Sequence, residues 1–220
     1  MLPFAIKDDD DVKQSIEMLF STPVRVMQID KGLNKKILAF VKSKYKEMNF
    51  CEGAGGNNIS IDENFLDNDE LSDIKQVLTD SVNEYFKEIV NPDKDNKLHI
   101  TISWINVTRN GESHAPHTHT NSIVSAILYV DTCEEDTISF TNPRKDMFGN
   151  FNFSQKSEFT TDELTYPATT GRLIIFPSTL RHRVNIRPNT CKGVRISLSF
   201  NTWVKGTIGT SLGIDHLRFN

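Results

Sequence analysis

The chain has 220 residues, 37% of them hydrophobic and 25% charged, enough to bury one core of ordinary domain size and incompatible with wholesale disorder. Its 25 basic and 29 acidic residues leave a net charge of −4, so no overall field draws in nucleic acid or an anionic membrane surface. No apolar run reaches the length of a membrane span, and the opening MLPFAIKDDDDVKQ has acids where a secretory leader carries its apolar stretch; a cytoplasmic protein with no membrane or nucleic-acid partner is expected.

In chain order, FSTPVRVMQI at 20–29 alternates like a strand. From Asn34, the residues Ile37, Leu38, Val41, Tyr45 and Met48 recur at helical spacing with lysines on the opposite face. Residues 51–67 are polar and glycine-rich, but Gly53, Gly55 and Gly56 fit neither of the common phosphate-binding patterns, so the segment reads as a flexible connection. A second helix is predicted over 69–90, with Leu71, Ile74, Leu78, Val82, Tyr85 and Ile89 on one stripe and a stop at Asn91-Pro92. After Lys97 the period changes to two. Strands are predicted at 98–104, 122–130, 137–141, 172–176, 183–186 and 194–203, a succession that points to a β-sandwich or barrel. Cys51, Cys133 and Cys191 are odd in number and widely spaced, which predicts reduced thiols and no bridge.

Three of the six histidines, His114, His117 and His119, fall together in GESHAPHTHTNS. On an extended strand His117 and His119 share a face, close enough for one metal ion to bridge them. His182 follows an apolar strand and a Pro177-Ser178 turn, and three imidazoles from separate strands can form a facial metal site with open positions. Two ordinary surface or capping histidines would leave the same trace. Downstream, Arg195, Ser197 and Ser199 lie on one face of an alternating strand. An inward guanidinium needs a carboxylate, from a dicarboxylic ligand beside the metal or from one of the chain's own acids. His114 is either a further partner of a metal ligand or simply exposed, with exposure the favoured reading.

The pattern Trp104-Ile-Asn106, His117-Thr-His119-Thr-Asn121-Ser122, Tyr129-Val130, Pro143-Arg144, Gly171 through Ser178 to His182, and Arg195 through Asn201 resembles a branch of the Fe(II)- and 2-oxoglutarate-dependent oxygenases related to prolyl hydroxylases. The likeness covers about residues 100–203, and LFSTPV at 19–24 looks like the branch's opening. It implies an α+β, mainly β fold: a double-stranded β-helix, or cupin-like jelly roll, with N-terminal helices packed on one sheet. One oxygenase domain over 1–220 is expected, with 1–97 supporting a jelly-roll core at 98–204 and a tail at 205–220. The resemblance implies Fe(II) on His117, His119 and His182, and 2-oxoglutarate anchored by Arg195, Tyr129 and Ser197. O2 is consumed and succinate and CO2 are released as a substrate is hydroxylated. Asn106, Asn121 and Arg144 become candidate substrate contacts, with Asn121 also a candidate partner of a metal ligand.

The chain departs from the wider superfamily at position 119, where Asp or Glu is usual. Three neutral imidazoles leave the ion at 2+ instead of 1+. The implied substrate is a peptidyl residue, proline foremost, an amino acid or a small metabolite. A three-histidine cupin-type dioxygenase without 2-oxoglutarate and a non-catalytic, metal-stabilised binding module are the alternatives, and oligomerisation through a sheet edge stays open. The long, aromatic segment 142–170, with Phe148, Phe151 and Phe153, reads equally as a lid or as a hairpin packed on the sandwich.

Overall fold

Long alternating strands and two amphipathic helices resolve into a helix-backed pair of sheets in the computed structural model, which describes residues 21–147, 149, 152–157, 159–209 and 217–219. The chain runs through β1 (Arg25–Gln28), α1 (Lys31–Lys44), β2 (Phe50–Glu52), β3 (Asn58–Ser60), two 3-10 turns and α2 (Ser72–Val90). There follow β4 (Lys97–Thr108), β5 (His114–His117), β6 (Val124–Asp131), β7 (Thr137–Thr141), β8 (Glu163–Pro167) and β9 (Arg172–Pro177). The last strands are β10 (His182–Val184), β11 (Arg195–Ile208) and β12 (Leu217–Phe219). An eight-stranded sheet has the order β1-β9-β6-β11-β4-β3-β2, with β12 paired to β11, and faces a four-stranded sheet of order β5-β10-β7-β8. This is the predicted jelly roll.

The helices begin and end where local chemistry dictates. The Asp30 carboxylate accepts from the amides of Gly32 and Leu33 at the start of α1. α2 stops at Asn91, whose left-handed backbone (φ 47°) lets its amide donate to the Lys87 carbonyl before Pro92. Both pack on the large sheet, α1 against β6 and α2 against β4.

Strand period then decides what each face holds. On β11 the alternate residues Ile196, Leu198 and Phe200 are buried in the core shared with the helices, while Arg195, Ser197 and Ser199 point into the space between the sheets. Burying each such apolar side chain stabilises the fold by roughly 1.5–3 kcal/mol. The same split divides β6, where Val124, Ala126, Leu128 and Val130 face the helices while Ile127 and Tyr129 join Ile174 and Phe176 of β9 between the sheets.

Four expectations are corrected. Residues 51–67 are not a flexible connection: β2 and β3 form an edge hairpin, and β3 pairs with β4 through Asn58 opposite Val107. Cys133 and Cys191 are joined as a disulfide across 58 residues, and only Cys51 is a free thiol. Ile89 is exposed, and the neighbouring Phe86 is buried in its place. Within 142–170, β8 pairs along β7, as the hairpin reading expected, but Phe153 is exposed instead of packed on the sandwich; Phe148 and Phe151 lie outside the described residues. Among those residues no helix is long and apolar enough to cross a membrane.

Candidate metal centre

The short strands β5 and β10 pair so that His117 sits opposite His182. His119 lies two residues past the end of β5, not on it, and its amide donates to the Ser178 carbonyl at 2.9 Å. The turn carrying Ser178 is in turn anchored by hydroxyls: Ser178 Oγ lies 2.8 Å from Ser122 Oγ and 2.7 Å from Ser125 Oγ, and Ser125 donates to Asn201 Oδ1 at 2.8 Å. Strand pairing places two imidazoles, and this network fixes the turn that holds the third.

One ligand atom from each of His117, His119 and His182 lies within 4.8 Å of the other two. A single ion bound at about 2 Å to each closes that gap with small side-chain adjustments. The tautomers suit such an ion. His117 Nδ1 lies 2.8 Å from the Ala115 carbonyl and His182 Nδ1 lies 3.0 Å from the Leu180 carbonyl. A carbonyl only accepts, so Nδ1 carries the proton and Nε2 keeps its lone pair. Burial pushes His182 down to about 3 and His119 to about 4, and it also lowers His117. The rings are therefore neutral at pH 7. Phe176 lies 4.7 Å from the His182 ring and Trp104 lies 5.9 Å from His119, so two aromatic faces flank the rings.

The three rings open onto a cavity that also reaches Arg195, Ser197 and Ser199. Arg195 is 1% exposed, and its Nη1 donates to the carboxylate of Asp136 at 3.0 Å. Among the described residues its Nη2 has no partner, and neither has the hydroxyl of buried Tyr129. Burial raises the Tyr129 phenol, which stays protonated as a donor. An unpaired guanidinium edge on the cavity wall is a donor suited to a carboxylate. The donor set thus suits both a divalent ion and a dicarboxylic ligand.

Of the remaining residues singled out in the sequence, Asn106 lines the cavity and donates to Ser199 Oγ at 3.0 Å. Asn121 does not reach it: an exposed residue with left-handed backbone (φ 57°), it makes the turn into β6. Arg144 lies elsewhere too, on a separate hollow with Tyr166 and Leu180. His114 is not exposed as expected; it is half-buried, 4.4 Å from the His117 ring, and held down to about 4 chiefly by burial. The sequence reading missed Asn57, 2% exposed and on the cavity wall, whose side-chain oxygen has no partner among the described residues. The glycines before it were the available signal: Gly55 takes φ +132°, and a Cβ there would lie 2.6 Å from the Ser113 carbonyl oxygen. That close approach carries the turn against the residues leading into β5.

A jelly roll that gathers three imidazoles beside a buried guanidinium has the architecture of a metal-dependent oxygenase. Residues 102–201, which contain all three histidines and Arg195, match the family described as "Putative 2OG-Fe(II) oxygenase". The match spans just under half of the chain, and that stretch is similar to the Fe(II)- and 2-oxoglutarate-dependent oxygenases, a class of oxidoreductases. No curated protein matches the sequence. Among solved structures, a Pseudomonas putida prolyl-4-hydroxylase is similar over 83% of this chain and 94% of its own, with 15% identity and a TM-score of 0.58. The epimerase SnoN of nogalamycin biosynthesis, in complex with Fe3+, alpha ketoglutarate and nogalamycin RO, aligns over 90% of both chains at 13% identity and a TM-score of 0.61. A Trichoplax adhaerens prolyl hydroxylase bound to a hypoxia inducible factor peptide covers 82% of this chain and 83% of its own, at 13% identity and a TM-score of 0.56. At these identities the three share the fold with this chain.

Proposed function

We propose that this chain binds Fe(II) through His117, His119 and His182, anchors the distal carboxylate of 2-oxoglutarate on Arg195 and Tyr129 with Ser197 beside them, and hydroxylates an uncharged group of its substrate. The observation that carries the reading is the convergence, in one cavity, of three neutral imidazoles and a guanidinium with an unpaired buried edge. Bound there, iron and 2-oxoglutarate supply oxidation by O2, with succinate and CO2 as co-products. The protein's part is to hold the imidazole tautomers, orient the dicarboxylate and keep the pocket dry. With no carboxylate among the ligands, the bound ion keeps its full 2+ charge, which favours anionic co-ligands. Residues 1–220 are proposed to act as one oxygenase domain, a reading supported by a hydrophobic core that runs from Ile29 to Val204.

The cavity lining also constrains the substrate. Among the described residues lining it there is no Asp or Glu, so nothing there meets an ammonium group, while Asn57 and Trp104 offer an amide and an aromatic face. A peptidyl residue, proline first, suits this wall better than a free amino acid. Two of the similar structures are prolyl hydroxylases, which supports the same choice.

Anaerobic titration of the Fe(II)-loaded protein with 2-oxoglutarate tests the reading. A saturable visible charge-transfer band is expected. Iron bound without the band would favour a three-histidine dioxygenase independent of 2-oxoglutarate, and failure to bind iron a structural module. Capped peptides should then raise succinate formation more than free amino acids do.

A further inference from the structure

The proposed cosubstrate arginine does not stand alone. Asp136 is 1% exposed and ion-paired to two buried guanidiniums, through Oδ1 to Arg195 Nη1 at 3.0 Å and to Arg187 Nε at 3.5 Å. Its other oxygen accepts from the amide of Cys133 at 2.9 Å, and its own amide donates to the Cys133 carbonyl at 3.3 Å. The carboxylate is therefore held by the residue that forms the Cys133–Cys191 bridge. Cys191 lies four residues before Arg195, in a loop that Arg187 closes by donating to the carbonyls of Gly193 and Lys192 at 3.0 and 3.1 Å. One covalent link thus ties the turn carrying Asp136 to the segment leading into Arg195. Two buried guanidiniums against one carboxylate leave one positive charge uncompensated, at the edge of Arg195 that has no partner.

We propose that Asp136, fixed by the Cys133–Cys191 bridge, is the positioning residue that presents Arg195 to the distal carboxylate of 2-oxoglutarate, so that the redox state of the bridge sets cosubstrate affinity. The inference rests on the cosubstrate reading above. Asp136 occupies Nη1 and keeps the guanidinium from turning, which leaves Nη2 free to meet the incoming carboxylate. A dithiol reductant opens the bridge by thiol–disulfide exchange: two electrons and two protons pass to the two sulfurs, yielding two thiols, and the reductant becomes a disulfide. The 133–136 turn is then held only by its hydrogen bonds, and Arg195 loses its fixed orientation. Metal binding, on the far side of the cavity, is untouched.

The test compares 2-oxoglutarate with 2-oxobutyrate, which chelates iron in the same way and lacks the distal carboxylate. Full-length Fe(II) protein is titrated anaerobically with each, oxidised and after reduction with dithiothreitol followed by its removal, with the visible band as readout and iron content measured alongside. Reduction should weaken 2-oxoglutarate about tenfold and leave 2-oxobutyrate within twofold. The double variant Cys133→Ser/Cys191→Ser should show the reduced value under both treatments. Asp136→Asn should lose the same discrimination, and Asp136→Glu should recover part of it. Equal 2-oxoglutarate affinity in both redox states and in the double variant overturns the proposal, as does equal weakening of both keto acids, which would report general loosening. If the oxidised wild type itself does not prefer 2-oxoglutarate, it is the cosubstrate reading that fails.

Discussion

The two ends of the cavity are built by different means. The histidine end stands on two short strands and a turn of the small sheet, its rings neutral and two of them held by carbonyls two residues away, Ala115 for His117 and Leu180 for His182. The arginine end stands in the middle of the large sheet, on a 14-residue strand backed by helices, and its guanidinium is paired with Asp136, 59 residues away in sequence. Local contacts suffice to orient a neutral ligand. A buried charge needs a distant partner, and so depends on the fold as a whole.

The strongest way to break this contrast is His182→Ala, which should remove stoichiometric iron and lower succinate formation by at least about a thousandfold while the chain stays folded; metal analysis with circular dichroism checks both parts. Retention of iron would dismantle the histidine end as a metal site. Arg195→Met should separate the ends in the opposite sense, leaving iron stoichiometric and weakening 2-oxoglutarate by roughly ten- to a hundredfold, as expected for a lost charge-assisted hydrogen bond. An unchanged titration curve would remove Arg195 from the cosubstrate site.

Acidity should sharpen the comparison further. Burial holds His182 at about 3, and His114 and His119 at about 4, in the folded chain, against about 6.5 for an unfolded histidine. Below pH 6.5 the unfolded chain takes up protons that the folded one refuses, so stability of the metal-free protein is lost progressively from there down to about pH 4. A fall in Tm of roughly 3–10 °C between pH 7 and 5 is expected by scanning calorimetry; a flat profile would mean the rings are not desolvated. The smallest effect should come from Ser178→Ala. It removes hydroxyl contacts with Ser122 and Ser125 but leaves the carbonyl that His119 uses. About 1 kcal/mol of stability should be lost, with iron stoichiometry unchanged.

The same contrast explains what could be read from the chain. His117, His119 and His182 are recognisable because their spacing and the strand and turn before His182 are local features. Arg195 was placed inward because the alternation on β11 is unbroken, and the structure keeps it so. Its partner was invisible: Glu134, Glu135 and Asp136 adjoin one another, and only the fold decides that the third is buried while the first two stay exposed. The disulfide escaped for the same reason, since two cysteines 58 residues apart carry no mark of proximity. Asn121 misled in the other direction, a polar residue beside the histidines that serves backbone geometry, because asparagine tolerates the left-handed conformation its turn requires.

The β2–β3 turn has a consequence for how such an enzyme can change. The turn from Gly53 to Asn57 puts Asn57 on the cavity wall, yet none of the imidazoles or the guanidinium stands on it, and it is tied to the body mainly by main-chain bonds to Ser113 and Ala115. Side chains there can be exchanged while those bonds persist, provided the glycine at 55 is kept. A library randomised at Asn57 and its non-glycine neighbour Ala54 is therefore the economical starting point for redirecting the oxidation to new molecules, with the iron chemistry carried over intact.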